Sequence, residues 1–299
     1  MASERISLIL PTRGRPKFVE RLFRSLTQLT AHLDLIEVIL YVDEDDTASH
    51  HLDSQYFSVK RIIGPKLSMG EYNTSCLRVS SGEIIILVND DIVIRTKDWD
   101  VRVRSVHSQC KDQIYLAYPN DLFKKSKFCT FPILSRRTCD LLVEPFPGAY
   151  KRYFIDPHLF DIFKRLKHAG YARIFYCRKI VFEHLHFRVG KAACDETYQH
   201  GKEGRFDDDQ TFIDLIKMRS NSAKRLISVI DKRTFGESEF RYKQNKNPSN
   251  LVQAIRLFTH NFLLDKELPF GWRLFLWYYF IGRYLAAKGF LKPFVSGRT

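Results

Sequence analysis

The side chains best placed to do chemistry in this chain are Asn89, Asp90 and Asp91, which close the apolar run Ile84-Ile85-Ile86-Leu87-Val88. Paired carboxylates at a strand tip can hold a divalent cation that carries phosphate groups. A short apolar run bounded by Gly82 and by acids reads as a strand covered on both faces, as in a parallel sheet between helix layers. In such sheets ligands bind beyond the carboxyl ends of the strands, where this tripeptide lies. The plain alternative is an acidic loop in water, and the surrounding elements decide between the two.

Those elements alternate. Ser7 to Leu10 predicts a first strand that runs into Pro11-Thr12-Arg13-Gly14-Arg15-Pro16, and Phe18 to Leu29 has helical apolar spacing. Ile36 to Val42 predicts a second strand ending in Asp43-Glu44-Asp45-Asp46, and Val59 to Ile63 a third before Gly64-Pro65. A helix over Gly70 to Ser80 leads into the strand of the acidic tip. This βαβ order predicts an α/β fold, a doubly wound and mostly parallel sheet flanked by helices, with loops 11–16, 43–46 and 89–91 along one edge. From about 114 to 150 the prolines at 119, 132, 145 and 147 loosen the pattern, as expected of a mixed region shaping a second subsite. Asp156 to Ala169 then predicts a helix, Ile174 to Phe182 a strand, and Asp208 to Met218 a further helix. Glu183-His184-Leu185-His186 is the strand's polar exit, and strand geometry points His184 and His186 to the same side.

Composition narrows the partners. The chain has 299 residues, is 44% hydrophobic and carries a formal charge of +14, which suits nucleic acid, an anionic membrane or a phosphorylated ligand. Six scattered cysteines without a CxxC pair argue against a zinc site or a disulfide framework and fit reduced thiols in a cytoplasm. The opening Met-Ala-Ser-Glu-Arg enters a strand pattern at once and leaves no room for an export signal. No uninterrupted apolar run approaches the roughly 20 residues that span a bilayer. There is no Walker A motif, no Gly-x-Gly-x-x-Gly after the first strand and no serine nucleophile elbow, so the common kinase, dehydrogenase and hydrolase explanations lose their signals. Residues 251–299 differ in kind, with Trp272, Phe275, Trp277, Tyr278, Tyr279, Phe280 and Tyr284 interleaved with Arg273, Arg283, Lys288 and Lys292. Such a segment suits an interfacial helix on anionic lipid, or a helical hairpin packing its aromatic face on the main domain.

In their order, these motifs resemble the glycosyltransferases of the GT-A fold, especially the inverting family 2, over roughly residues 5–215. Pro11-Thr12-Arg13 looks like that family's first nucleotide loop, and Tyr41-Val42-Asp43 like its second, where a carboxylate meets the base. Gly70, Tyr72-Asn73 and Gly82-Glu83 are similar to its helix before the acidic motif. Asn89-Asp90-Asp91 stands where the family has its DxD motif, with Asn89 in place of the usual first Asp. An amide can still accept from a ribose hydroxyl but offers no charge to a metal, so the resemblance makes Asp91 the metal ligand.

Phe154-Ile155-Asp156 and Asp161 look like the family's acceptor-side acidic motif, which implies a general base at Asp156 or, as an alternative, Asp161. Either could instead cap its helix. His184, with His186 as substitute, resembles the histidine that completes the metal shell in some relatives, and Gly190 to Tyr198 a loop that closes over the diphosphate with Lys191 supplying charge. The resemblance thus implies Mg²⁺ or Mn²⁺, a nucleotide-diphosphate sugar donor, and as acceptor a growing surface glycan or its lipid carrier. It also implies a catalytic domain over 1–220, with a donor half to about 113 and an acceptor half to 220, and a helical, basic-aromatic extension over 221–299. The chain would work in the cytoplasm, on its own or at the inner face of the membrane. Two rivals are a glycosyltransferase acting on modified bases in DNA, which the +14 charge would suit, and a nucleotide- or nucleic-acid-binding protein without catalysis, which Asn89 motivates.

Overall fold

The computed structural model describes residues 4–185, 206–236 and 240–290. Four parallel strands come first: β1 (Ile6–Thr12), β2 (Ile36–Asp43), β3 (Ser58–Gly64) and β4 (Ile84–Leu87). β1 lies between β2 and β4, and β3 pairs with the far side of β2. β2 and β4 are buried throughout, which is why both read as apolar runs without alternation.

Successive side chains still go to opposite faces. Leu8, Leu10, Val38, Leu40, Ile84 and Ile86 join one core with the helices α1 (Pro16–Leu29) and, after the acidic tip, α3 (Trp99–Gln109). Ile9, Ile39, Ile85 and Leu87 join a second core with α2 (Met69–Val79), α4 (Arg136–Leu142) and α5 (Ile155–His168). Pro16 opens α1, and Ser68 opens α2 through a reciprocal capping box with Glu71. Gly70 is required where it stands: a Cβ there would lie 2.0 Å from the carbonyl oxygen of Pro147.

Four short or bent strands complete the sheet: β5 (Ile92–Ile94), β6 (Leu116–Asn120), β7 (Ile133–Ser135) and β8 (Ile174–His184). The order is β3-β2-β1-β4-β7-β6-β8-β5. β7 runs antiparallel to both β4 and β6, β8 runs parallel to β6, and β5 closes antiparallel on β8. The fold is therefore α/β with a mostly parallel sheet flanked by helices, as the alternation predicts, and its second half is mixed.

The predicted helix over Asp208 to Met218 is two helices, α6 (Asp208–Asp214) and α7 (Ile216–Ile230), separated at Leu215. α8 (Leu251–Phe258) continues through a π-helical turn to Leu263, and α9 (Phe270–Ala287) follows. Phe258, Phe262, Trp272, Leu276 and Phe280 enter the same core as Phe160 and Phe163 of α5. No helix among the described residues is long and apolar enough to cross a membrane.

Candidate functional site

β6 is antiparallel to β7, which is antiparallel to β4, so β6 and its parallel neighbour β8 run the same way as β1 to β4. The carboxyl ends of β1, β2, β4, β6 and β8 consequently share one edge of the sheet, with Thr12, Asp43, Asp90-Asp91, Asp121 and His184 on it.

At its centre Asp91 Oδ2 lies 3.2 Å from His184 Nε2. The pairing is fixed by backbone register, because Ile92 of β5 sits opposite His184 of β8 and the Leu185 N–H donates to the Asp91 carbonyl at 2.8 Å. Both side chains are nearly buried, and the Phe131 ring packs edge-on against the imidazole. Two ligands at right angles on an ion about 2.1 Å away are themselves about 3 Å apart, so the Asp91–His184 spacing fits a six-coordinate cation. Among the described residues no group of three His, Cys, Asp or Glu gathers around one point. Mg²⁺ and Mn²⁺ commonly take only one or two protein ligands and fill the rest of their shell with substrate phosphates and water.

Asp90 is held by the neighbouring loop. Its carboxylate accepts from Thr12 Oγ1 at 2.9 Å and pairs with the buried Arg15 at 3.1 Å, fastening the loop after β1 to the tip of β4. Burial lifts this carboxyl to about 6 against the opposing pull of Arg15. Asn89 is exposed at the mouth of the site, and Pro11 is half-buried at the end of β1.

Asp43, at the end of β2, accepts from the Tyr72 hydroxyl at 2.5 Å and from Arg13 Nη1 at 2.5 Å. Arg13 also grips Asp45, and Asp46 accepts from the Gly14 N–H at 2.7 Å. Gly14 has φ +66°, which lets the chain turn there. Loops 11–16 and 43–46 are thus zipped together, with the Tyr41 and Tyr72 rings tilted against each other at 4.7 Å beside them. Burial and then the Asp43 carboxylate push the Tyr72 phenol well above its usual range. Asn73 is buried, and its amide donates to the Met69 carbonyl within α2 at 2.8 Å, so its polar group is turned into its own helix.

Asp156 stands in the first turn of α5, after Phe154 at φ +74°. It is half-buried, its carboxylate takes no hydrogen bond from another described residue, and its carbonyl accepts from Cys129 Sγ at 3.2 Å. Burial raises its carboxyl to about 7; His184 pulls the other way, and Asp121 adds to the rise. Asp161 lies one turn further into α5 in wholly different surroundings. It is 1% exposed and accepts from Trp272 Nε1 at 2.8 Å, Arg219 Nε at 2.9 Å and Arg165 Nε at 3.1 Å. Arg165 in turn holds Asp265 and Glu267. This carboxylate joins α5, α7 and α9, and the two arginines overcome burial to keep it ionised below its usual range.

Asp121 gives no motif signal, yet the fold sets it on the same edge, directly after β6. Its Oδ1 accepts from the backbone N–H groups of Phe123, Lys124 and Lys125 at 3.0, 2.8 and 2.7 Å, and its carbonyl accepts from the His184 N–H at 3.1 Å. Its Oδ2 is buried with no hydrogen-bond partner among the described residues. The rule that ligands gather at strand ends would have found it, had the strand before it been recognised. His186 and Lys191 lie outside the described residues.

No protein-family model matches the chain, and no curated protein matches it. Solved structures do resemble it. The mannosyltransferase PcManGT of Pyrobaculum calidifontis, in complex with GDP-Man and Mn²⁺, matches at TM-score 0.48 and 12% identity over 96% of this chain and 76% of its own. Glucosyl-3-phosphoglycerate synthase of Mycobacterium tuberculosis, with Mn²⁺, UDP-Glc and phosphoglyceric acid, matches at 0.46 and 16% over 73% of this chain and 80% of its own. TarS of S. aureus matches at 0.42 and 14% over 60% of this chain and 35% of its own. Likeness at this level bears on neither donor nor acceptor.

Proposed function

We propose that this chain is a metal-dependent glycosyltransferase that moves a sugar from a nucleotide diphosphate to a hydroxyl acceptor with inversion. The observation that carries the reading is the meeting of Asp91 and His184 at cation spacing, on the sheet edge that also bears Asp43, with the isolated carboxylate of Asp156 within electrostatic reach of His184. Asp91 and His184 would hold Mg²⁺ or Mn²⁺, which supplies charge neutralisation for the departing diphosphate. The zipped loops carrying Pro11, Thr12, Arg13 and Asp43 bind the nucleoside, and Asn89 offers its amide to the ribose. Asp90 keeps the first loop against the cation site through Thr12 and Arg15.

Asp156 takes the proton of the acceptor hydroxyl as that oxygen attacks the anomeric carbon. A carboxyl held near 7 is matched to accepting a proton at neutral pH. Lys191 adds charge over the diphosphate, and His186 stands in for His184 where needed. In this reading residues 1–220 form the donor and acceptor halves and 221–299 a helical extension. The acceptor is a glycan or a lipid-linked saccharide, and the chain acts in the cytoplasm or on the inner face of a membrane.

Thermal stabilisation by a panel of nucleoside diphosphates and sugar nucleotides, each with and without Mn²⁺, tests the donor half without knowledge of the acceptor. A ligand that binds only the native state at 100 times its Kd adds about 2.7 kcal/mol, a readily measured rise in melting temperature. A rise that needs both one nucleotide and Mn²⁺ supports the reading; no rise with any ligand overturns it.

A further inference from the structure

α9 is apolar on both sides. Trp272, Leu276, Phe280 and Tyr284, four residues apart, face the core. The outward positions are as apolar as the inward ones: Phe270 is 69% exposed, Leu274 47%, Phe275 43% and Tyr278 75%, and Gly282 and Leu285 continue the same side toward the C-terminus. A helix lying on a water-soluble surface carries lysines and glutamates there. Here the outward side has no charged residue over its whole length, because Arg273 and Arg283 sit at positions flanking the buried stripe. Arg283 is turned inward onto Asp209 at 2.6 Å. An uncovered aromatic stripe of this kind marks an interaction surface.

Charge selects what covers it. Residues 251–290 contain Arg256, Lys266, Arg273, Arg283 and Lys288 against two acids, Asp265 and Glu267. Both acids are engaged by Arg165 of α5, at 2.6 and 2.9 Å. Even with Arg283 held by Asp209, the remaining Arg256, Lys266, Arg273 and Lys288 leave the segment net cationic. A second copy of the chain would meet the stripe through a two-fold axis, which sets like charge against like charge. An anionic bilayer meets it with opposite charge; tyrosine rings settle at headgroup depth, and phenylalanine and leucine enter the acyl boundary below.

The same helix reaches the candidate site from its inner side. The Phe280 ring stacks on Phe154 at 5.5 Å, and the Arg283 guanidinium lies 5.1 Å over the Phe154 ring. Phe154 is the residue immediately before α5, two before Asp156. We infer that the outward face of α9 is a docking surface for an anionic lipid bilayer, and that it holds the acceptor side of the site at the membrane. The docking stands on the surface itself; only the second clause rests on the proposed transfer.

Co-sedimentation of the full chain with phosphatidylcholine vesicles, with and without phosphatidylglycerol, at low and high salt, tests it beside the double variant Leu274→Glu/Tyr278→Glu. Both positions are exposed, so the variant should melt with the wild type. Binding should require phosphatidylglycerol, weaken with salt, and fall at least about tenfold in the variant. Absence of wild-type binding overturns the inference. So does equal binding by a normally melting variant, which would place the attraction in the +14 charge elsewhere. A dimer in sedimentation velocity that the same substitutions abolish would assign the stripe to a second copy instead. None of these readouts uses donor or turnover, so a failed transferase reading leaves the docking result intact.

Discussion

Asp91 and Asp156 divide the proposed chemistry, and each should fail in its own way. Asp91→Ala removes the carboxylate of the Asp91–His184 pair, so the Mn²⁺-dependent part of nucleotide stabilisation should vanish while any metal-free shift stays; isothermal titration with and without Mn²⁺ checks it. Asp156→Asn should leave donor affinity within about twofold and lower kcat by about 10²–10⁴, because a general base acts in the chemical step and contributes little to ground-state binding. Single-turnover kinetics separates the two quantities. Asp91 and His184 were legible as residues because each follows an apolar run at a strand end. That Asp90 is tied to Thr12 and Arg15 was not, since adjacent acids look alike in sequence and only the fold tells which carboxylate meets a buried arginine.

At the scale of elements, α5 carries two acids of the same residue type with opposite fates. Asp161→Asn removes the charge between Arg165 and Arg219, and breaking a buried ionic cluster of this kind costs about 3–5 kcal/mol. The variant should melt well below wild type in calorimetry, whereas Asp156→Asn should not; a normally stable, inactive Asp161→Asn would return the base role to that residue. The parallel half of the sheet was readable because β1, β2 and β4 are buried on both faces and separated by helices with clear apolar spacing. β5 and β7 are three residues each, too short for any period to show, and β6 contains Pro119, which argues against a strand locally. Their pairing is decided by distant partners: β7 fits between β4 and β6, and β8 reaches past β6 to β5. Asp121 stayed hidden for the same reason. The split between α6 and α7 also escaped, because apolar residues continue across Leu215 without a Gly or Pro.

Across the whole molecule the sheet has a working edge and a holding edge. At the holding edge Glu37, 1% exposed, accepts from Ser7, from Ser81 and from the Gly82 N–H, and pairs with Lys60 at 2.8 Å. Burial alone would raise this carboxyl; Lys60 and the hydrogen bonds prevail and hold it down to about 2, against 4.5 for a free glutamate. Folding therefore favours the ionised form. That stabilisation is complete above about pH 4.5 and disappears as pH falls from there toward 2. Glu37→Gln should cost about 2–3 kcal/mol at neutral pH and flatten the acid limb of stability, as urea unfolding at stepped pH values would show.

The core that contains Leu8 and Val38 is complete once Phe182 is in place, whereas the one that contains Ile9 and Ile39 needs Phe258, Phe262, Trp272 and Phe280. On a ribosome the first face of the sheet can close while the second waits, leaving Phe160, Phe163 and Phe212 uncovered. Stalled nascent chains ending near residue 250 should be cut rapidly by protease around 154–163, and chains long enough to release α9 from the exit tunnel should resist; equal resistance in both would refute this order. The late-made helix α9 is thus a two-sided part, closing an aromatic face of the nascent sheet with one side and leaving its other side uncovered in the finished protein.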